Sequence, residues 1–185
     1  TAAKELEGKI LAELAELNVK DAQRVIEFKE SREYTDNGTD LVEFLISTNK
    51  GEKLKPLSKI ASGGEMSRIM LAFKKIVGDY DEIPTMIFDE IDTGISGITA
   101  SIVGKKLKQI AENHQILCIT HLPQIAAFGD HNYKIYKESD DTNTYTTVIP
   151  LKKEEEVEEI ARLLGGINIT ETTLQSAREL IEASK

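Results

Sequence analysis

Two adjacent carboxylates, Asp89 and Glu90, close the apolar run Thr85-Met86-Ile87-Phe88. At a strand end one such carboxylate can hold Mg²⁺, directly or through water. Its neighbour can orient or deprotonate an attacking water. Earlier in the chain, Ile60-Ala61-Ser62-Gly63-Gly64-Glu65-Met66-Ser67-Arg68 runs a Ser-Gly-Gly turn into a segment with apolar residues at Met66, Ile69, Met70, Phe73 and Val77, a helical spacing. The turn brings a hydroxyl and unpaired backbone N–H groups to a helix N-terminus, whose partial positive charge suits a phosphate. Its glycines permit close approach of a ligand or of another protein surface. A second apolar run, Gln115-Ile116-Leu117-Cys118-Ile119-Thr120, ends at His121, whose imidazole can hydrogen-bond a phosphate oxygen or a water. Each signal alone has a plainer reading: a helix cap, an acidic turn after a strand, a surface histidine. Their order is the layout of nucleotide hydrolysis.

For these groups to meet, the strands must lie parallel in one sheet, joined by a right-handed helical crossover. Both strand ends then open on the crevice where α/β sheets bind ligands. Ile102, Val103, Leu107 and Ile110 mark the crossover helix, which Asn113-His114 ends; His114 reads as a capping or surface residue. Upstream, residues 2–16 read as a helix with Leu6, Ile10, Leu14 and Leu17 on one face, and 25–29 and 41–48 as strands around the turn Asp36-Asn37-Gly38. Downstream, strands at 133–137 and 144–151 flank the polar turn Asp140-Asp141-Thr142-Asn143. A helix at 153–164 is favoured at its start by Glu154, Glu155 and Glu156 and ended by Gly165-Gly166. The last helix, 171–183, has Thr170 as its N-cap candidate.

At 185 residues with 40% hydrophobic content, the chain has enough apolar material for one compact domain or lobe. It has no apolar stretch approaching the roughly eighteen residues of a membrane span and no signal-peptide pattern. The single cysteine, Cys118, lies inside an apolar strand and reads as a packing residue, compatible with a reducing cytoplasm. A net charge of −9 argues against a general DNA-binding surface, because that affinity rests on neutralising phosphates. Lys50, Lys53, Lys55 and Lys59 cluster locally and read as a solvated loop.

With its three motifs in this order the chain resembles the C-terminal half of an ABC-type ATPase head, and in wording the DNA-repair members of the structural-maintenance-of-chromosomes (SMC) group. Residues 61–65 match the signature loop, 86–90 the Walker B strand with its glutamate, Asp92-Thr93-Gly94 the D-loop, and His121 the switch histidine. The resemblance extends from about Phe44 to Gly166. It implies an α/β fold: the C-terminal lobe of a P-loop ATPase head, with a parallel sheet core flanked by helices and additional antiparallel strands. Residues 1–20 would be the helical end of a coiled coil entering the head, and 21–185 the lobe itself.

The resemblance also implies ATP and Mg²⁺, and an active site shared by two heads. Ser62, Gly63, Gly64 and Glu65 would serve the ATP of a second, identical head. In the chain's own head, Asp89 would hold Mg²⁺ through water, Glu90 would polarise the attacking water, and His121 would contact the γ-phosphate. Asp92, Thr93 and Gly94 would lie at the head–head interface. The implied whole is an ATPase of the cytoplasm and nucleoid, with no membrane partner. It would act in double-strand break repair and recombination through ATP-driven head dimerisation, with DNA contacted through the full-length protein. The alternatives are the head of another SMC-like chromosome-organising or nuclease-associated ATPase, and a non-catalytic protein-binding module.

The phosphate-cradling pattern Gly-x-x-x-x-Gly-Lys followed by Ser or Thr does not occur. The Gly-Lys pairs, Gly8-Lys9 and Gly104-Lys105, are followed by Ile10 and Lys106. Together with a start at Thr1, this leads to the expectation of an excised C-terminal lobe. Its N-terminal P-loop lobe would be its first partner, and it would be inactive alone.

Overall fold

The computed structural model describes residues 2–19, 22–36, 38–48, 50–60, 62–78, 83–140 and 142–185. Asn37, Ala61 and Asp141, which figure in the turns and signature loop above, lie outside them.

Helix α1 (Ala2–Glu16) places Ile10 and Leu14 on one face, and with Leu17 just beyond its end they are fully buried. That face packs into the main core with Ile69, Leu71, Phe88, Ile91 and Val103. The helix read as the end of a coiled coil thus packs one face against the core of the lobe. A buried ion pair pins it: the Lys106 ammonium, in a side chain 7% exposed, meets the carboxylates of Glu13 and, at 2.8 Å, Glu16. Burial alone would lower the Lys106 pKa; the two glutamates more than offset this and raise it.

Strands β1 (Gln23–Thr35) and β2 (Gly38–Ser47) form a long antiparallel hairpin, and β3 (Lys55–Pro56) pairs with the inner end of β2 at Leu45 and Ile46. β1 runs well past the predicted 25–29. Its outer part, Glu30-Ser31-Arg32-Glu33, is an exposed polar ribbon with no apolar alternation to announce it. Glu27 and Glu43 stand directly opposite each other, and Lys29 bridges them at 2.8 and 3.3 Å.

A single 3-10 turn, Leu57–Lys59, leads to α2 (Gly63–Val77). Then come β4 (Thr85–Phe88), α3 (Gly97–Ala111) and β5 (Gln115–Cys118). As the crossover argument predicts, β4 and β5 are parallel, with Thr85 opposite Gln115 and Phe88 opposite Cys118. Four residues, Pro123–Ala126, make the short helix α4, too brief to carry a periodic signal. Strands β6 (Tyr133–Ser139) and β7 (Thr144–Pro150) pair antiparallel in continuous register. Helices α5 (Lys153–Gly165) and α6 (Glu171–Ser184) close the fold around a second small core of Ala127, Ile160, Ala161, Ala177 and Ile181. Their caps follow the sequence: Thr170 accepts from the Thr173 N–H at 3.3 Å, Glu155 accepts from the Lys152 N–H at 2.7 Å, and Gly166 turns the chain at φ 79°.

The β4–β5 pair is covered on one face only among the described residues. Met86 and Phe88 point into the core, whereas Ile87 on the opposite face is 70% exposed and Leu117 and Ile119 nearly half exposed. Parallel sheets are ordinarily covered on both faces; the described residues supply one layer. Among the described residues no helix is long and apolar enough to cross a membrane.

Candidate functional site

The Ser-Gly-Gly turn opens α2, as its residue types require. Ser62 is the N-cap in extended backbone, and its Oγ accepts from the Glu65 N–H at 3.4 Å. Accepting leaves the hydroxyl hydrogen free to donate to an anion. Ser62 and Gly63 are exposed and Gly64 is buried. The Glu65 carboxylate turns toward β2's end and accepts from the Thr48 hydroxyl at 3.1 Å.

Asp89 and Glu90 leave the end of β4 in a tight loop. Asp89 Oδ1 accepts the Glu90 N–H at 2.8 Å, and Glu90 has φ 56°, a left-handed conformation uncommon outside glycine. The loop packs onto the signature turn. A Cβ on Gly63 would collide with the Glu90 carboxylate, so this side chain lies directly over the turn. A Cβ on Gly64 would sit 2.9 Å from the Thr93 Cβ and 3.0 Å from the carbonyl oxygens of Glu90 and Thr93. The close approach that the glycines permit is thus already used by the chain's own loop.

Two neighbours on α2, to which the sequence reading assigned no role, tie this loop down. Ser67 Oγ donates to the Asp89 carbonyl at 2.7 Å. Arg68, 7% exposed, donates from Nη1 to the carbonyls of Ile91 at 3.3 Å and Thr93 at 2.7 Å. Burial lowers the Arg68 pKa, with Glu65 opposing the shift; a guanidinium remains charged regardless. The available signal was an arginine set inside the apolar stripe of α2, next to Ile69.

The loop then reaches across to β5. Asp92, 5% exposed, accepts at Oδ2 from Thr120 Oγ1 at 2.7 Å and from the His121 N–H at 2.8 Å, and the same oxygen lies 2.9 Å from His121 Nδ1. Thr93 and Gly94 lie at the surface, whereas Asp92 is turned inward toward His121. The His121 ring itself is 73% exposed. Ser62, Gly63, Glu90 and Thr93 therefore form one contiguous edge, and Asp92 links it to His121.

Among the described residues no group of three or more His, Cys, Asp or Glu is gathered as a metal cage. Mg²⁺ commonly takes one or two carboxylates and completes its shell with phosphates and water, so the exposed Asp89 carboxylate fits that mode. A cleft of about 190 Å³ beside the turn, lined by Thr48, Lys55, Lys59, Ser62 and Glu65, is smaller than the ~300–1,000 Å³ of a typical ligand pocket.

Cys118, half-buried at the end of β5, is not reactive chemistry. Burial, then the charges of Asp92 and Asp89, push its thiol up to about 12. Alkylation by iodoacetamide at pH 8 is expected to run at least ~100-fold slower than for an ordinary thiol, and to keep rising with pH through 10. A rate that levels off near pH 9 would contradict this.

No family model matches the chain. It is similar to the DNA repair protein RecN of Vibrio cholerae, 45% identical over 183 residues, which is 98% of this chain and 33% of that protein. RecN of Bacillus subtilis is 50% identical over 148 residues, 80% of this chain and 26% of that protein. The chain spans about a third or less of the length of these relatives. In fold it is similar to the Smc head domain with coiled coil and joint from Pyrococcus yayanosii, with TM-score 0.58 and 19% identity, over 85% of this chain and 28% of that chain. It is also similar to an SMC ATPase structure from work on ATP-driven dimerisation and DNA-stimulated activation, with TM-score 0.51 and 18% identity, over 88% of this chain and 93% of that one. At these identities the structures speak for the fold alone, that of an SMC-type head lobe.

Proposed function

The chain is a RecN homologue with the fold of an SMC-type ATPase head lobe, and on that premise we propose that it is the signature and Walker B half of a DNA-repair ATPase. One observation carries the reading. The chain gathers Ser62, Gly63, Glu90 and, through Asp92, His121 along one edge, while its 185 residues hold no phosphate-cradling loop. Half of a nucleotide site is built, and half must come from elsewhere.

Along this edge the groups serve two nucleotides. The Ser62 hydroxyl and the free N–H groups opening α2 donate to the terminal phosphate of a nucleotide seated on a second head. Glu90 orients the attacking water of its own head and takes its proton. His121 meets the γ-phosphate of that same nucleotide. Asp89 would hold Mg²⁺ through water, and the bound ion would neutralise charge developing on the phosphate oxygens. The P-loop lobe of the same protein covers the open β4–β5 face at Ile87, Leu117 and Ile119, burying apolar surface that water now meets. The isolated chain consequently turns over no ATP. DNA is contacted elsewhere in the full-length protein, in keeping with the −9 charge here. Its setting is the cytoplasm and nucleoid, where double-strand breaks are repaired and recombined.

Mixing two full-length variants tests the geometry. Ser62→Arg blocks the turn offered to the partner, and Glu90→Gln disables the chain's own site. Neither hydrolyses ATP alone. In a mixed dimer the nucleotide of the Ser62→Arg head meets an intact signature turn from its partner and keeps its own glutamate, so phosphate release returns. No recovery, with mixed dimers demonstrated, would refute the trans arrangement.

A further inference from the structure

We infer that Asp92 is a positioning residue for His121, the buried carboxylate that determines which ring nitrogen the switch histidine presents to the nucleotide. This rests on the ATPase reading above and gives Asp92 a different part from that of an interface contact. At 5% exposure it has little surface to offer a second head. Its Oδ2 is instead a point of convergence for the Thr120 hydroxyl at 2.7 Å, the His121 backbone N–H at 2.8 Å and the ring Nδ1 at 2.9 Å.

A carboxylate accepts and does not donate, so the three groups around it are donors and Nδ1 carries a hydrogen. Nε2 is then the ring atom left to face outward. It accepts from a water when the ring is neutral and donates to a phosphate oxygen when both nitrogens carry hydrogen. The ring is 73% exposed and has no other polar partner among the described residues, so Asp92 holds an orientation that packing does not. Asp92 is itself fixed, because the carbonyls flanking it, at Ile91 and Thr93, are both taken by Arg68. Helix α2, which carries the signature turn, thereby sets the stance of the histidine at the end of β5.

The test is nuclear magnetic resonance of the full-length protein with ¹⁵N-labelled histidine, the His121 signal being assigned by its loss in His121→Ala. The neutral His121 ring is expected as the Nδ1–H tautomer, although free imidazole side chains in water favour Nε2–H. Asp92→Ala should release the ring to Nε2–H and slow ATP hydrolysis by at least about 10-fold, the scale of losing a partner that orients a functional histidine, with nucleotide binding unchanged. Asp92→Asn, which keeps a carbonyl acceptor in place, should preserve the tautomer and recover most of the rate. In a His121→Ala background Asp92→Ala should add no further loss. An Nε2–H tautomer in the unmodified protein, which needs no variant to fold, would overturn the inference, as would additive losses in the double variant. Normal hydrolysis by His121→Ala would strike the ATPase reading of His121 instead, while the tautomer would still report on Asp92.

Discussion

Glu90→Gln in the full-length protein should leave ATP binding intact and slow hydrolysis by on the order of 10²–10⁴-fold, the usual cost of losing a positioned general base. Glutamine has the size and shape of glutamate, so it can lie over Gly63 as Glu90 does, and the left-handed backbone at this position need not change. What disappears is the capacity to take a proton from water. With closure intact and hydrolysis blocked, paired heads should accumulate with ATP between them. Steady-state phosphate release and light scattering in the presence of ATP measure both effects. Hydrolysis at the normal rate would remove Glu90 from the role of base.

Leu14→Ala should cost the head about 2–5 kcal/mol, the range for emptying a fully buried leucine site. The size of the effect decides what α1 is. As a solvated remnant of a coiled coil, the helix would tolerate the change within about 0.5 kcal/mol. As a layer of the core shared with Ile69 and Val103, and locked by Lys106 to Glu13 and Glu16, it cannot. A urea titration of the head against the unmodified protein distinguishes the two, through a lowered midpoint with the slope unchanged.

The chemistry-bearing turns were legible because each is written in a few adjacent residues. Ser62-Gly63-Gly64 before a helical stripe, Asp89-Glu90 after an apolar run and His121 after another need no long-range knowledge. The parallel pairing of β4 and β5 followed from the helix between them. What escaped was interaction with the backbone. Ser67 and Arg68 grip carbonyl oxygens, which every residue possesses, so nothing in residues 89–94 advertises the contact. Asp92 was assigned to a head–head interface by its place in a motif, and the motif is silent on its side-chain bonds to Thr120 and His121, close in space and far along the chain. The one-sided burial of β4 was also beyond reach. Ile87 is as apolar as its buried neighbours Met86 and Phe88, and nothing in its type marks it as the residue left 70% exposed.

The grip of α2 on the 89–94 loop separates two kinds of freedom. The carbonyls of Asp89, Ile91 and Thr93 anchor the loop, whereas the side chains of Glu90 and Asp92 face its chemistry. Along this peptide, carbonyls held by α2 alternate with residues that α2 does not hold, while Asp89 combines an anchored carbonyl with an exposed carboxylate. The Glu90 side chain can be exchanged without loosening the grip of α2, because none of these bonds passes through it. The cost of change falls instead on Ser67 and Arg68, which touch no reactant. Across variants of this head, the side chain at position 90 can change while the path of the loop is inherited from the helix behind it.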